Sequence, residues 1–293
     1  MAQKITLDLI KKVRNDTGAG MMDVKKALTE AEGDPERAKE ILRANGVQAA
    51  GKREGRKAQE GLVAAKIVEE DGKQVCYAIE FNSETDFVAE TPQFVKYGDE
   101  ILDAAIAVKA TSVDDVLAAP TADGTVQDTI TSAGALFKEH VKIGQFVRIE
   151  GEHIDLYAHK KSAEFPPSTV AIIATDENGA SVAHDVALQI SAMSPRWLSS
   201  DDVPQEILDR ETRIASEKCK AEGKPDKIIP MIVKGRLNSF FEESVLLNQK
   251  YVKDGKKTIA DLFKEVGGKA EAFARIEVGK SEEDSEEWSL SVK

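Results

Sequence analysis

The chain has 293 residues, 41% of them apolar and 31% charged, and a formal net charge of −12; this is enough apolar chain for two or three folded domains and excludes global disorder. The acidic balance excludes bulk attraction to nucleic acid phosphates and leaves that role only to local basic stripes. Cys76 and Cys219 are far apart and lack a pairing pattern, and no run of about 18 apolar residues occurs, so the chain reads as cytoplasmic with no membrane segment.

Residues 1–46 read as a module of three short helices. Leu9, Ile10 and Val13 set one apolar face, and after "TGAG" the residues Met21, Val24, Ala27, Leu28 and Ala31 recur at helical spacing. Gly33 stops the second helix. Asp34 and Pro35 then supply an N-cap and a first-turn proline for a third helix, buried through Ala38, Ile41 and Leu42 and closed by Asn45-Gly46. So small a bundle has little core of its own and is expected to be an appended binding module. "VQAAGKREGRKAQEG", residues 47–61, is polar and basic and reads as a linker.

The next unit, 62–140, opens with two β-rich runs, "LVAAKIV" and "QVCYAIEF", around Asp71-Gly72, a hairpin turn signal. Helical patterns follow through Phe94, Ile101, Leu102, Ala105 and Ile106, then Val113 to Leu117, then Val126, Ile130, Leu136 and Phe137. A second unit, 141–203 completed by 248–279, repeats the scheme: "QFVRIEGEHIDLYAH" and "STVAIIATD" are strand-like and "SVAHDVALQISAM" is helical. The core therefore reads as two related halves, each a small sheet with helices, and the fold class is α+β.

Between them, 204–247 holds two long helical patterns joined by "GKPDK", with narrow apolar stripes (Leu208, Ala215, Cys219; Ile228, Ile232, Phe240) spaced near 3.5 residues. This predicts a protruding antiparallel helical hairpin of coiled-coil type. "TIADLFKEV" predicts a helix capped by Thr258, and "AFARIEV" a last strand. The acidic tail, 280–293, reads as solvated.

No catalytic constellation emerges. Gly46-Val-Gln-Ala-Ala-Gly51-Lys52 matches the spacing of a phosphate-binding loop, but Arg53 stands where a hydroxyl must reach Mg²⁺, and a helix precedes it where a strand is needed. The chain is therefore expected to bind no nucleotide itself and to need no cofactor. His140, His153, His159 and His184 show no metal-ligand spacing with either cysteine, and no nucleophile elbow is present. Lys52, Arg53, Arg56 and Lys57 form a basic run without interleaved aromatics. Its default reading is a solvated linker, its alternative an RNA contact of a ribosome-associated protein.

One stretch resists a bland reading. In "FNSETDFVAE" the acids Glu84, Asp86 and Glu90 crowd Phe87 at a strand-to-helix connection. Phe87 is either ordinary core beneath the next helix, where neighbouring carboxylates raise its desolvation cost, or an exposed apolar tip offered to a partner's pocket.

"TGAGMMDVKKALTEAEGD", "NSETDFVAE" and "GRLNSFFEE", in that order, resemble the bacterial elongation factor Ts family, exchange factors for the translational GTPase elongation factor Tu. The resemblance spans nearly the whole chain. It implies a non-catalytic protein with an N-terminal module like ubiquitin-associated domains, a core of two subdomains, and a hairpin used for homodimerisation in some members. It implies further that Thr85, Asp86, Phe87 and Val88 lodge against the GTPase near its Mg²⁺ site, with Asp86 and Phe87 as the main pair. The family's N-terminal lysine maps to Lys25, its histidine to His159 and a hairpin valine to Val233. Lys160 stands where the family usually has a glycine, and the stretch after it, "KKSAEFPPS", is longer.

Overall fold

A computed structural model describes residues 4–280 apart from 54 and 123; the acidic tail after Lys280 lies outside the described residues. In chain order α1 (Leu7–Thr17), α2 (Met21–Glu30) and α3 (Pro35–Gly51) precede β1 (Glu60–Glu70), β2 (Lys73–Ser83), α4 (Asp86–Ala89), α5 (Pro92–Ala107) and α6 (Val113–Ala118). The two-residue strands β3 (Pro120–Thr121) and β4 (Gly124–Thr125) lead into α7 (Val126–Phe137), β5 (Lys142–Gly151), β6 (His153–His159), β7 (Thr169–Thr175) and α8 (Ala180–Met193). The remainder is α9 (Gln205–Ala221), α10 (Ile229–Ser244), α11 (Ile259–Val266) and β8 (Ala270–Glu277). Helices and antiparallel sheets are segregated, which makes the fold α+β.

The core is layered by strand alternation. On β2, Val75, Tyr77, Ile79 and Phe81 face Phe94, Ile101 and Leu102 of α5 and Val126, Ile130 and Ala133 of α7. The intervening Cys76 and Ala78 face the other way, onto Val170, Ile172 and Ala174 of β7 and Ala274 and Ile276 of β8. On β7 the remaining positions, Ala171 and Ile173, meet α8 and α11 through Val186, Ile190, Ile259 and Phe263. On β2 the large residues thus pack against helices and the smaller Cys76 and Ala78 face the second sheet, so that the two sheets, ordered β1-β2-β5 and β6-β7-β8, lie face to face. Phe81 and Phe94 stack with ring centroids 4.3 Å apart, and each such buried side chain contributes about 1.5–3 kcal/mol of apolar burial.

Local signals act where they stand. Asp71 and Gly72 both take positive φ (51° and 82°) and join β1 to β2 in the register Glu70↔Lys73, as a two-residue hairpin turn requires. Thr258 caps α11 with a reciprocal bond pair to Asp261.

Two boundaries differ from the sequence reading. Strand β5, assigned there to the second half, pairs with β2 and completes the first sheet. The β-rich run is divided at Gly151, where the chain crosses between sheets; a Cβ there would stand 2.9 Å from that of Ala174. Likewise α3 does not end at Asn45-Gly46 but continues to Gly51. Gly46 permits close approach, since its Cβ would meet Ala135 of α7 at 2.9 Å. The N-terminal helices, expected to be an appended module behind a linker, therefore rest on α7. Arg43 pairs with Asp128 at 3.0 Å, the Arg53 guanidinium donates to the Gly134 carbonyl at 3.2 Å, and Leu136 lies against Gly18.

Helices α9 and α10 close on a small seam of Ala215, Cys219, Ile229 and Val233. Their base is rooted on Trp197, Val203 and Val245, with Ile207, Leu208, Phe240 and Phe241 alongside.

Candidate functional site

Strand β2 ends at Ser83, and the chain turns through Glu84 and Thr85 into the single-turn helix α4. Thr85 is extended (φ −129°, ψ 150°) and occupies the N-cap position, but its hydroxyl does not cap the helix. It donates instead to Glu139 Oε1 at 2.6 Å, while Glu139 Oε2 accepts the N–H groups of Glu84 and Thr85 at 2.9 and 3.0 Å. In return, Glu84 Oε1 accepts the His140 N–H at 2.6 Å, and Arg56 lies 3.4 Å from the same carboxylate. His140 Nδ1 makes a further contact with the Arg56 carbonyl at 2.7 Å.

The corner is anchored equally well on its far side. Ala89 is buried in the first core cluster and Val88 packs half-buried against it. Thr91 donates to the Val88 carbonyl at 2.8 Å and caps α5 through the Phe94 N–H. Between these anchors Phe87 stands 83% exposed, the most exposed large apolar side chain among the described residues. Asp86 beside it is also exposed, and its Oδ1 accepts the Phe87 N–H at 2.9 Å. Of the two readings of Phe87, the structure therefore selects the exposed tip.

The other residues singled out from the sequence lie on different elements. Lys25 is exposed on α2, on the flank of the buried stripe of Val24, Ala27 and Leu28, and borders the 66%-exposed Met22. His159 ends β6, where its carbonyl accepts the Ser168 N–H at 3.0 Å and its Nδ1 lies 3.3 Å from the Tyr157 hydroxyl. The Tyr157 ring meets His184 edge-on, and His184 Nδ1 pairs with Asp155 at 3.0 Å. Tyr157 on β6, itself against His184 of α8, thus braces His159. Val233 is only 8% exposed, turned into the α9–α10 seam; in the free chain it supports the hairpin, and the exposed residues nearby are Met231 and Ile214.

Gly46 to Gly51 lie inside α3, so the backbone N–H groups of that phosphate-loop spacing are committed to a helix. Among the described residues no group of three or more histidine, cysteine or acidic side chains is placed to hold a metal, and no helix is long and apolar enough to cross a membrane. Burial pushes the Cys76 thiol up to about 12, which makes it inert as a nucleophile. Sequence reasoning missed Glu139 and His140. They lie 54 to 56 positions from their partners, and no local pattern marks them.

Comparison with known proteins agrees with the motifs. Residues 84–280, which begin at this corner, match the family model described as Elongation factor TS. The chain is 63% identical over 279 residues to elongation factor Ts of Bifidobacterium animalis subsp. lactis, covering 95% of this chain and 98% of that one. It is 62% identical to that of Bifidobacterium longum subsp. infantis, covering 96% and 99%. Against that of Kocuria rhizophila the identity is 45%, with coverage of 92% and 97%. Agreement at this level, over nearly full lengths on both sides, leaves one assignment: the chain belongs to the elongation factor Ts family.

Proposed function

We propose that this chain is a translation elongation factor that binds elongation factor Tu and promotes GDP release without chemistry of its own. The observation that carries this is Phe87, an apolar ring held 83% exposed between two anchored flanks. A GTPase grips its nucleotide through phosphate contacts and a shared Mg²⁺. An apolar side chain driven between elements that must shift displaces both, at no reorganisation cost to a corner already in place. Thr85 to Val88 supply this wedge, with Asp86 and Phe87 as the reaching pair. Because coupling is reciprocal, nucleotide must weaken the factor by as much as the factor weakens nucleotide. The factor therefore binds the empty GTPase best and leaves when GTP enters.

The N-terminal helices, similar in order to ubiquitin-associated domains, serve in this reading as a second docking site through Lys25. His159 supplies a third contact from the end of β6. The α9–α10 hairpin is the self-association surface, on which Ile214 and Met231 are 48% and 70% exposed. RNA binding through residues 52–57 has less support, because Arg53 and Arg56 already bind the Gly134 carbonyl and Glu84. The direct test is release of fluorescent GDP from elongation factor Tu with and without the chain. Acceleration, together with dissociation of the pair by excess GDP, is the expected result, and release unaffected by the chain would sink the reading.

A further inference from the structure

We propose that Glu139 is a positioning residue for exchange, holding the Phe87 corner in its docking geometry; this rests on the reading of Phe87 as the partner-facing wedge. Val88 and Ala89 hold the far side of the corner in the core, but on its entry side the N–H groups of Glu84 and Thr85 find their acceptor outside the corner, in Glu139. Helix α4 is a single turn, and its N-cap hydroxyl is turned away from it. Without that acceptor, the N–H groups of Glu84 and Thr85 and the Thr85 hydroxyl would each exchange with water, and Phe87 would be held from its far side alone.

Glu139 removes that freedom with three hydrogen bonds from one carboxylate. Its approach angle is set by the chain itself. Lys138, the C-cap of α7, takes a left-handed conformation (φ 60°, ψ 28°) that turns residue 139 back toward β2. The two halves then lock mutually, Glu139 on the backbone of 84–85 and Glu84 on the backbone of His140 at 2.6 Å. Each carboxylate meets its own N–H donors, and Arg56 faces Glu84 at 3.4 Å, so the two anions are satisfied separately. Glu139 itself is half-buried. Truncating it admits water where its carboxylate was, and the loss falls on geometry more than on folding.

Three variants of the full chain separate these roles. Glu139→Ala removes both acceptor oxygens and with them all three hydrogen bonds. Glu139→Gln keeps them in another form, since the amide oxygen can take both N–H groups while its NH₂ donates to the Thr85 hydroxyl. Phe87→Ala reports on the wedge directly. In the free chain, amide hydrogen exchange at Glu84 and Thr85 is expected to speed up roughly tenfold or more in Glu139→Ala and to stay near the parent rate in Glu139→Gln. Stimulated GDP release at saturating factor is expected to slow roughly tenfold in Glu139→Ala and to recover in Glu139→Gln, with the melting midpoint of both close to the parent. Slow release with protected amides would overturn the proposal by making Glu139 a direct contact. Normal release in Glu139→Ala beside slow release in Phe87→Ala would overturn it while leaving the wedge intact. Normal release in Phe87→Ala would overturn the wedge reading itself, and Glu139's part in exchange with it.

Discussion

The Asp86 carboxylate accepts the N–H of Phe87 at 2.9 Å while the ring that follows points into solvent, 83% exposed. The acid is thus engaged through one oxygen with its own neighbour, and the phenylalanine has no engagement at all within the core. A residue so placed contributes to binding without contributing to folding. Phe87→Ala should slow stimulated GDP release by roughly 10- to 100-fold, from about 1.5–3 kcal/mol of lost burial in the complex. The same substitution should shift stability by less than about 0.5 kcal/mol, where a core phenylalanine would cost about 3–5. Release kinetics and a denaturant melt on one preparation check both halves, and a large fall in stability would mean that the ring is structural.

Asp86→Asn keeps an oxygen for the Phe87 N–H and removes only the charge. We expect it to slow release as much as Asp86→Ala, because the second carboxylate oxygen is free to meet the GTPase. Parent-like release in the asparagine variant would show instead that Asp86 serves only to hold the turn.

Gly46 and Ala135 mark the close approach of α3 to α7. Gly46→Leu should push the helices apart and loosen the N-terminal module, since overpacking at such a contact costs about 1–3 kcal/mol. Limited proteolysis between residues 52 and 59 should become faster, and Ala135→Gly in the same chain should restore part of the resistance. Equal proteolysis of parent and Gly46→Leu would mean that the module is held elsewhere.

Hydrogen bonds from the N–H groups of Lys269 and Gly179, with the Lys269 charge, hold the Asp176 carboxyl below the usual carboxylate range. Asp128, Asp254 and Asp261 are held down by backbone N–H groups in the same way. A depressed folded-state pKa contributes stability that is fully present above the unfolded value of about 3.9 and is lost as pH falls through the folded one. The melting midpoint should therefore be flat from neutral pH to about 5 and fall below about 4. Asp176→Asn should lower the midpoint at neutral pH and make the acid fall shallower; an unchanged slope would remove Asp176 from the account.

The two thiols should differ in reactivity. Cys76 lies between the sheets, and with its pKa near 12 only about one part in ten thousand is thiolate at pH 8. Cys219 is buried in the four-residue seam of the hairpin, which can open without unfolding the core. A disulfide reagent should modify Cys219 first and Cys76 only on global unfolding. Val233→Ala, which removes about 1–2.5 kcal/mol of burial from the seam, should speed the first phase alone. A single phase for both thiols would show that hairpin and core open together.

Much of this protein was decided within a few residues of chain, and that part was legible in the sequence. Asp71-Gly72 turns a hairpin, Pro35 starts a helix and Thr258 caps one, because each acts on backbone groups at most four positions away. The β-rich apolar run of β2 likewise announced a strand, and the motif around Phe87 announced a family. What the pattern left open was every question that depends on a distant partner. Whether Phe87 is core or tip turned on where Ala89 and Phe94 are buried. That β5 joins β2 rather than β6 depended on a sheet-to-sheet crossing at Gly151, and that Gly46 continues a helix depended on Ala135 lying against it. Glu139 became part of the corner only when folding brought its carboxylate to N–H groups 54 and 55 residues earlier. A hydrogen bond acts over about 3 Å of space whatever the separation along the chain; periodicity records which face of an element is buried, and only the tertiary structure determines what it is buried against.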